Sequence, residues 1–356
     1  MKVGIIGLPQ TGKKTLFHIL TGTRPPEQTD LKKPLMGTAD IKDLRFDTLV
    51  DMYAPQKNVR AKVDLALLPK LEKEAIAQGD IFKDIVDMDA ICHVVRAFED
   101  EAVYHVDGSV DPLRDIESIH GELILHDLLF LETRLERIES NLKKLKDEKQ
   151  QKEKVLLETL KAHLEDEKPL RLMDLAPNEE LLIRSYPFIT RKEMILVLNI
   201  ADDGLDSDGL IRQLTPHCMA EQVEVMQVSA QVEAEIAALD SEAERLEFLQ
   251  ELGIKEPALG QLTGLCLNAL GLQSFFTVGK DEVRQWLLKK NASAPEAAGT
   301  IHSDLQRGFI RAETMKYDEL MAHKDEAGLK AAGKIYLKGK DYLVEDGDIL
   351  NIRFKV

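Results

Sequence analysis

The chain has 356 residues, with 47 Lys and Arg against 63 Asp and Glu and a formal net charge of −16 at pH 7. At roughly 100–200 residues per domain this length calls for two or three domains, and 44% hydrophobic with 31% charged residues excludes a disordered or low-complexity chain. The negative charge excludes a protein that coats nucleic acid over its whole surface, and no apolar run reaches the roughly 18 residues of a membrane-spanning helix.

Met1-Lys2 followed by Val3 to Leu8 is too short, and too soon glycine-rich, for a secretory signal. Val3, Ile5 and Ile6 predict a buried strand, then a glycine loop, then a helix from Lys13 to about Leu20. Short Val- and Ile-rich runs follow at Val63 to Leu68, Ala90 to Phe98, Met194 to Ile200 and Val223 to Ser229. Their length suits buried parallel strands, and with helices between them the expected fold is a doubly wound α/β domain. One long segment interrupts it. Leu128, Leu131, Leu135, Ile138, Leu142 and Leu145 step by 3 and 4, a polar turn spans Lys146 to Lys154, and Leu157, Leu160 and Leu164 resume the seam. This predicts an antiparallel coiled-coil hairpin, either a structural arm or a binding arm. At the end, Leu350, Ile352, Phe354 and Val356 alternate with polar residues after the turn signal Glu345-Asp346-Gly347-Asp348, and Ile335 and Leu337 alternate likewise. The segment 275–356 carries 14 Lys and Arg and 13 Asp and Glu, against 33 and 50 in the rest. That shift marks a domain boundary, although a nearly neutral module is no evidence of a polyanion partner.

The loop Gly7-Leu8-Pro9-Gln10-Thr11-Gly12-Lys13-Lys14-Thr15 follows a strand and opens a helix, the context of a phosphate-binding P-loop. Glycines let successive N–H groups turn inward on an anion, the helix N-terminus adds partial positive charge, and Lys13 reaches the β- and γ-phosphates. One position departs from the pattern. A Ser or Thr hydroxyl should follow the lysine to ligate Mg²⁺, and the chain has Lys14 there. Thr15 comes one residue late, rotated by about 100° around the helix, and is expected to miss the metal. Lys14 either neutralises phosphate charge or points to solvent.

These features together resemble the YchF / Obg-like ATPase family over essentially the whole chain. The resemblance is carried by Thr15-Leu16-Phe17, by His93 to Asp100, and by His105-Val106-Asp107-Gly108-Ser109-Val110-Asp111-Pro112. It is strongest from Phe275-Phe276-Thr277 through Ala297 to Asp304, Gly308 to Glu313, Gly339 to Tyr342 and Asp346-Gly347-Asp348. It implies a P-loop G domain over 1–114 and 192–274, a helical coiled-coil insertion over 115–191, and a β-grasp TGS domain over 275–356. It also implies ATP or GTP as ligand, with ATP modestly favoured, and a ribosomal or RNA partner; a cytoplasmic monomer without membrane attachment is expected beside it. Phosphate binding falls to Gly7, Pro9, Gln10, Thr11, Gly12, Lys13, Lys14 and Thr15. The base-binding segments align with Asn199, Ile200 and Asp202 and with Ser229, Ala230 and Gln231. The shorter carboxylate of Asp202 stands where the family usually carries Glu, so pairing with guanine stays open.

The departures cluster at the catalytic end. The family's second metal-proximal Thr aligns with Leu31, and its Asp-any-any-Gly switch aligns with Asp64-Leu65-Ala66-Leu67, with Leu67 in place of the glycine. Leu68 fits the apolar residue the family carries in place of a catalytic Gln. Pro69-Lys70-Leu71-Glu72-Lys73-Glu74-Ala75 replaces a glycine-rich loop, and Gln10 replaces an Asn. Losing both hydroxyls and the switch glycine removes much of the apparatus for Mg²⁺-assisted phosphoryl transfer, and leaves Asp64 as the one candidate metal ligand. The leading expectation is a nucleotide-binding regulator with weak or absent hydrolysis. An ATPase or GTPase with non-standard metal ligation is the second, and a scaffold indifferent to nucleotide the third.

Other chemistry-bearing residues read blandly. Cys92, Cys218 and Cys266 lie far apart without metal spacing, which suits a reducing cytosol. His93 in an apolar strand reads as a satisfied interior residue, His302 as a turn or cap, and Asp107 with Asp111 as a surface loop.

Overall fold

A computed structural model of the chain describes residues 1–26, 31, 33–71, 80–144, 147–202, 208–239, 241–252, 254 and 257–355. In chain order the described elements are β1 (Lys2–Ile6), α1 (Lys13–Thr21), β2 (Leu35–Asp40), α2 (Leu44–Tyr53), β3 (Lys57–Val59), β4 (Lys62–Leu67), α3 (Asp80–Val86), β5 (Ala90–Ala97), α4 (Pro112–Leu142), α5 (Glu148–Glu165), α6 (Pro177–Ile183) and β6 (Glu193–Ile200). They continue with α7 (Asp208–Ala220), β7 (Glu224–Val228), α8 (Ala230–Ala238), α9 (Glu242–Glu251), α10 (Ala258–Ala269), β8 (Leu272–Thr277), β9 (Glu282–Lys289), α11 (Ala294–Ile301), α12 (Ser303–Arg307), β10 (Phe309–Lys316), α13 (Tyr317–His323), α14 (Glu326–Ala331), β11 (Tyr336–Lys338) and β12 (Asp348–Phe354). Two compact units result, Met1–Thr38 with Asp64–Leu259, and Ala39–Val63 with Gly260–Val356.

The first unit is built on a six-stranded sheet in the order β2-β4-β1-β5-β6-β7. The pairs of β1 with β4 and β5, of β5 with β6, and of β6 with β7 are parallel. Ile6, Ala66, Ile91, Val95, Leu196 and Leu198 fill the core under one layer of helices with Ile85, Ile116 and Leu214. Strands buried on both faces need continuous apolar runs, and the runs of β5 and β6 supply them.

The helical arm belongs to this unit. Asp111 caps α4 by accepting from the Arg114 N–H at 3.1 Å, and Pro112 occupies the first helical position, where its missing N–H costs nothing. Ion pairs Glu132–Lys161 and Glu139–Lys154 run in opposite senses along α4 and α5, so the two helices are antiparallel, and Arg134 with Glu153 adds a third pair across them. Leu131, Ile138, Leu157 and Leu160 are wholly buried between them, and Leu128, Leu135 and Leu142 pack alongside. Each fully buried leucine contributes about 1.5–3 kcal/mol. The expected turn from Lys146 to Lys154 is shorter than its polarity suggests, because Asp147 caps α5 through the Lys149 N–H at 2.9 Å and the helix begins at Glu148. Leu145 and Lys146 lie outside the described residues.

The second unit has a mixed six-stranded sheet in the order β11-β10-β12-β8-β9-β3. Neighbouring residues serve opposite faces, as the strand repeat requires. Phe275 and Leu350 pack with Ala294, Ala297 and Ala298 of α11 on one side. Phe276 and Ile349 pack with Phe46 and Leu49 of α2 and with Leu320 and Leu329 on the other. Residues 39–63 therefore lie with the C-terminal sheet and not with the N-terminal domain assigned from sequence. The parallel pairing of β3 with β9, Lys57 opposite Glu282 through Val59 opposite Arg284, holds them there. Among the described residues no helix is long and apolar enough to cross a membrane.

Candidate functional site

The loop between β1 and α1 has a backbone that two glycines make possible. Gly7 has φ 153°, and a Cβ there would lie 2.4 Å from the Val94 carbonyl oxygen. Gly12 has φ 88°, and a Cβ there would lie 2.2 Å from Asn199 Nδ2. Both positions exclude any side chain. Gln10 adopts φ 60° without being glycine, a strained conformation stored in the loop. The Leu8 carbonyl accepts from Lys13 Nζ at 2.7 Å and from Thr11 Oγ1 at 3.2 Å, so the lysine is folded back across its own loop.

A cavity of about 490 Å³ opens over this loop, a volume that suits a small-molecule ligand. Pro9, Gln10, Thr11, Gly12, Lys13, Lys14 and Thr15 form one wall, and Leu31, Leu67, Leu68, Lys70, Phe98 and Val103 form the rest. Of the eight residues expected to hold phosphate, seven line the cavity, and Gly7 shapes the loop beneath it. Three lysines face this space, and among the described residues no carboxylate does. Lys14 also donates to the Pro26 carbonyl at 2.9 Å. Thr15 is exposed and lies on the cavity wall with the other loop residues expected to hold phosphate.

Asp64 is not brought to the cavity. It stands opposite Lys2 at the far end of β1, whereas Leu67 stands opposite Ile5, next to the loop. Three strand residues, about 10 Å, separate the two positions. The apolar run of β4 carries no mark of which residue reaches the loop, and the parallel register places Leu67 and Leu68 there. Both are buried. Lys70, Phe98 and Val103 were missed as wall residues. Phe98 had a signal, since it directly follows a buried strand whose end meets the loop.

A P-loop fold implies Mg²⁺. The described residues do not fit it: an ammonium replaces the ligating hydroxyl, leucines stand at positions 31 and 67, and no carboxylate lines the cavity. The segment Glu72-Lys73-Glu74-Ala75 lies outside the described residues.

The segments expected to contact a base are held together and to the loop. Asn199, at the end of β6, is buried. Its Nδ2 donates to the Thr11 carbonyl at 3.0 Å and its Oδ1 accepts from the Ala230 N–H at 3.0 Å. Ser229 Oγ donates to Asp202 Oδ1 at 2.7 Å while accepting from the Val232 N–H as the cap of α8. Asp202 and Gln231 are exposed. Ile200 is a correction, because its side chain packs into the sheet core and presents nothing to a ligand.

Histidines and carboxylates cluster at two further places, His120-His217-Glu221 and His105-Asp107-Asp115. In each a carboxylate already meets an arginine, Arg171 to Glu221 at 3.0 Å and Arg114 to Asp115 at 2.8 Å. These are ion-pair networks. Burial alone would raise the Glu221 carboxyl, but His120 at 2.8 Å, with the charge of Arg171, holds it below the usual range. His93 is not fully satisfied, because its buried Nδ1 has no hydrogen-bond partner. Burial, with His120 and Lys13 nearby, keeps its imidazole neutral. His302 is a cap, its Nδ1 accepting from the Asp304 N–H at 3.1 Å.

The chain is 40% identical to the ribosome-binding ATPase YchF of Bacillus subtilis, with all of both chains covered. It belongs to the YchF / Obg-like ATPase family. The family described as YchF-GTPase_C, protein of unknown function (DUF933), matches residues 272–355. The chain is also 34% identical to Obg-like ATPase 1 of Oryza sativa subsp. japonica, covering all of this chain and 92% of that one. Among solved structures it is similar to the YchF GTPase of Schizosaccharomyces pombe, with a TM-score of 0.81, 29% identity, and 99% and 97% of the two chains covered. The doubly wound G domain with its helical insertion and C-terminal β-grasp sheet is thus the family fold.

Proposed function

We propose that this protein is a nucleotide-binding regulator that associates with the ribosome and hydrolyses ATP or GTP weakly or not at all. The observation that carries this reading is a complete phosphate cradle beside a wall of leucines and lysines at the metal and switch positions. Backbone N–H groups of residues 10–15 and the Lys13 ammonium hold the phosphates. Asp202 receives the base edge, oriented by Ser229, and Asn199 ties that segment to the loop. Without a divalent ion and a switch glycine, stabilisation of the transferring phosphoryl group falls away, while ground-state binding survives. The names of the relatives support a ribosomal partner and ATP or GTP as ligand. A cytoplasmic monomer is part of the same reading.

Calorimetric titration of ATP and GTP into the wild type and Lys13→Ala tests the cradle, and turnover by purified protein tests the loss of hydrolysis. Binding that Lys13→Ala abolishes is the expected result, with turnover that this variant does not change. Equal binding by the variant would refute the cradle. Robust turnover abolished by Lys13→Ala would restore the ATPase reading.

A further inference from the structure

We propose that His120, His217 and Glu221 form a binding site for a divalent transition-metal ion of the zinc type, in the first unit and apart from the loop cavity, which none of them lines. One ring nitrogen of each histidine and one carboxylate oxygen lie within 4.8 Å of one another. Glu221 stands between the rings, with His120 Nδ1 2.8 Å from its Oε2 and His217 Nε2 3.5 Å from its Oε1. Tetrahedral ligands at roughly 2.0–2.2 Å from zinc lie about 3.4 Å from one another, so the set is nearly in place. His217 and Glu221 are four residues apart, and the Glu221 N–H donates to the His217 carbonyl at 3.1 Å, so the turn that closes α7 carries both on one face. The ion-pair network leaves the rings unfinished. Among the described residues Nε2 of His120, Nε2 of His217 and Nδ1 of His93 are buried without a hydrogen-bond partner, and the His93 ring centroid is 5.7 Å from that of His120. A metal bond to His217 Nε2 removes one of these orphaned atoms. At His120 the ion replaces the proton on Nδ1, which passes to solvent. Arg171 holds Glu221 Oε2 at 3.0 Å and leaves Oε1 to the ion. The arginine charge opposes an ion held by charge alone, such as Mg²⁺ or Ca²⁺, whereas two imidazoles favour zinc and its neighbours. The His217 side chain is 30% exposed, so rotation of this ring admits the ion from solvent, and a water completes the four ligands. Bound there, the ion pins α4, the first helix of the arm, to the end of α7.

The test is calorimetric titration of Zn²⁺ into the full chain, stripped with EDTA and dialysed, for wild type, His217→Ala and His120→Gln. The visible spectrum of the wild type with Co²⁺ in place of Zn²⁺ reads the same site without a variant. Wild type should take up one ion there, and each substitution should weaken that binding at least tenfold. Zn²⁺ should raise the unfolding temperature of the wild type and not that of His217→Ala. Co²⁺ should give the intense bands of a tetrahedral site, without the thiolate bands that a cysteine ligand would add. His217 Nε2 has no hydrogen bond to lose, so metal-free His217→Ala should unfold at the wild-type temperature. Absence of saturable Zn²⁺ uptake, the weak spectrum of octahedral Co²⁺, or binding that both substitutions leave unchanged would each overturn the site.

Discussion

Single residues around the loop carry sharply different burdens. Gly12 has the least freedom, since its φ of 88° and the Asn199 amide 2.2 Å from any added Cβ leave no room. Gly12→Ala should destabilise the first unit by about 1–3 kcal/mol, the cost of a strained backbone conformation, and weaken nucleotide binding. Chemical denaturation read beside calorimetry checks both, and an unchanged unfolding midpoint would contradict the assigned packing. Asn199 shows what a motif alone conceals. Its sequence context marks base recognition, but its two hydrogen bonds run to Thr11 and Ala230, so its direct work is to fix the loop. The cysteines are the opposite case, with no part in the site. All three are buried, and burial pushes the Cys266 thiol up to about 12. Cys266 should resist alkylation in the native state at neutral pH and react once the chain is unfolded. Mass spectrometry after a short iodoacetamide pulse distinguishes the two.

Among the elements, the helical hairpin was the most legible from sequence. Its leucine spacing names the seam, and every seam residue that is described packs there. Leu160→Ala would leave a cavity between α4 and α5 and should cost about 2–5 kcal/mol. Urea unfolding followed by circular dichroism measures that loss. Strand β4 shows the limit. Its apolar run predicts a buried strand but says nothing of register, and a parallel register is set by the neighbour it pairs with. That is why Asp64 looked like a metal ligand and stands instead opposite Lys2. Segment 39–63 was misassigned for a related reason. Its strand β3 is three residues long, too short to announce a partner, and its pairing with β9, with the packing of Phe46 and Leu49 of α2, assigns it to the second unit.

At the scale of the molecule, ligand and proton linkage give two further expectations. A ligand that binds only the native state stabilises it, by about 2.7 kcal/mol at a hundred times its dissociation constant. ATP should therefore raise the unfolding temperature of the wild type, in EDTA as in Mg²⁺, and should leave Lys13→Ala unmoved. Acid acts through the network that joins β5, α4 and α7. His93 is held neutral and takes up a proton only on unfolding, so stability should fall as the pH drops below about 6.5. The Glu221 carboxyl is held low by His120 and Arg171. Its contribution is present above the ordinary glutamate range and lost as the pH falls through its lowered native value. Glu221→Gln should be less stable at neutral pH and should lack the lower of these two acid steps, which denaturant titrations across pH would reveal.

The sequence by itself determined the phosphate loop, the helical hairpin, the alternating strands at the C-terminus and the family. All of these are local patterns, written in residue spacing over a few turns or strands. Tertiary structure decided which residues share a wall. The pairing of β4 with β1 set leucines and Lys70, in place of a carboxylate, against the loop, and the bonds of Asn199 joined segments some 190 residues apart. A spacing pattern specifies which face of a strand or helix is apolar, whereas register and neighbours follow from the burial of the whole sheet, which no short window contains.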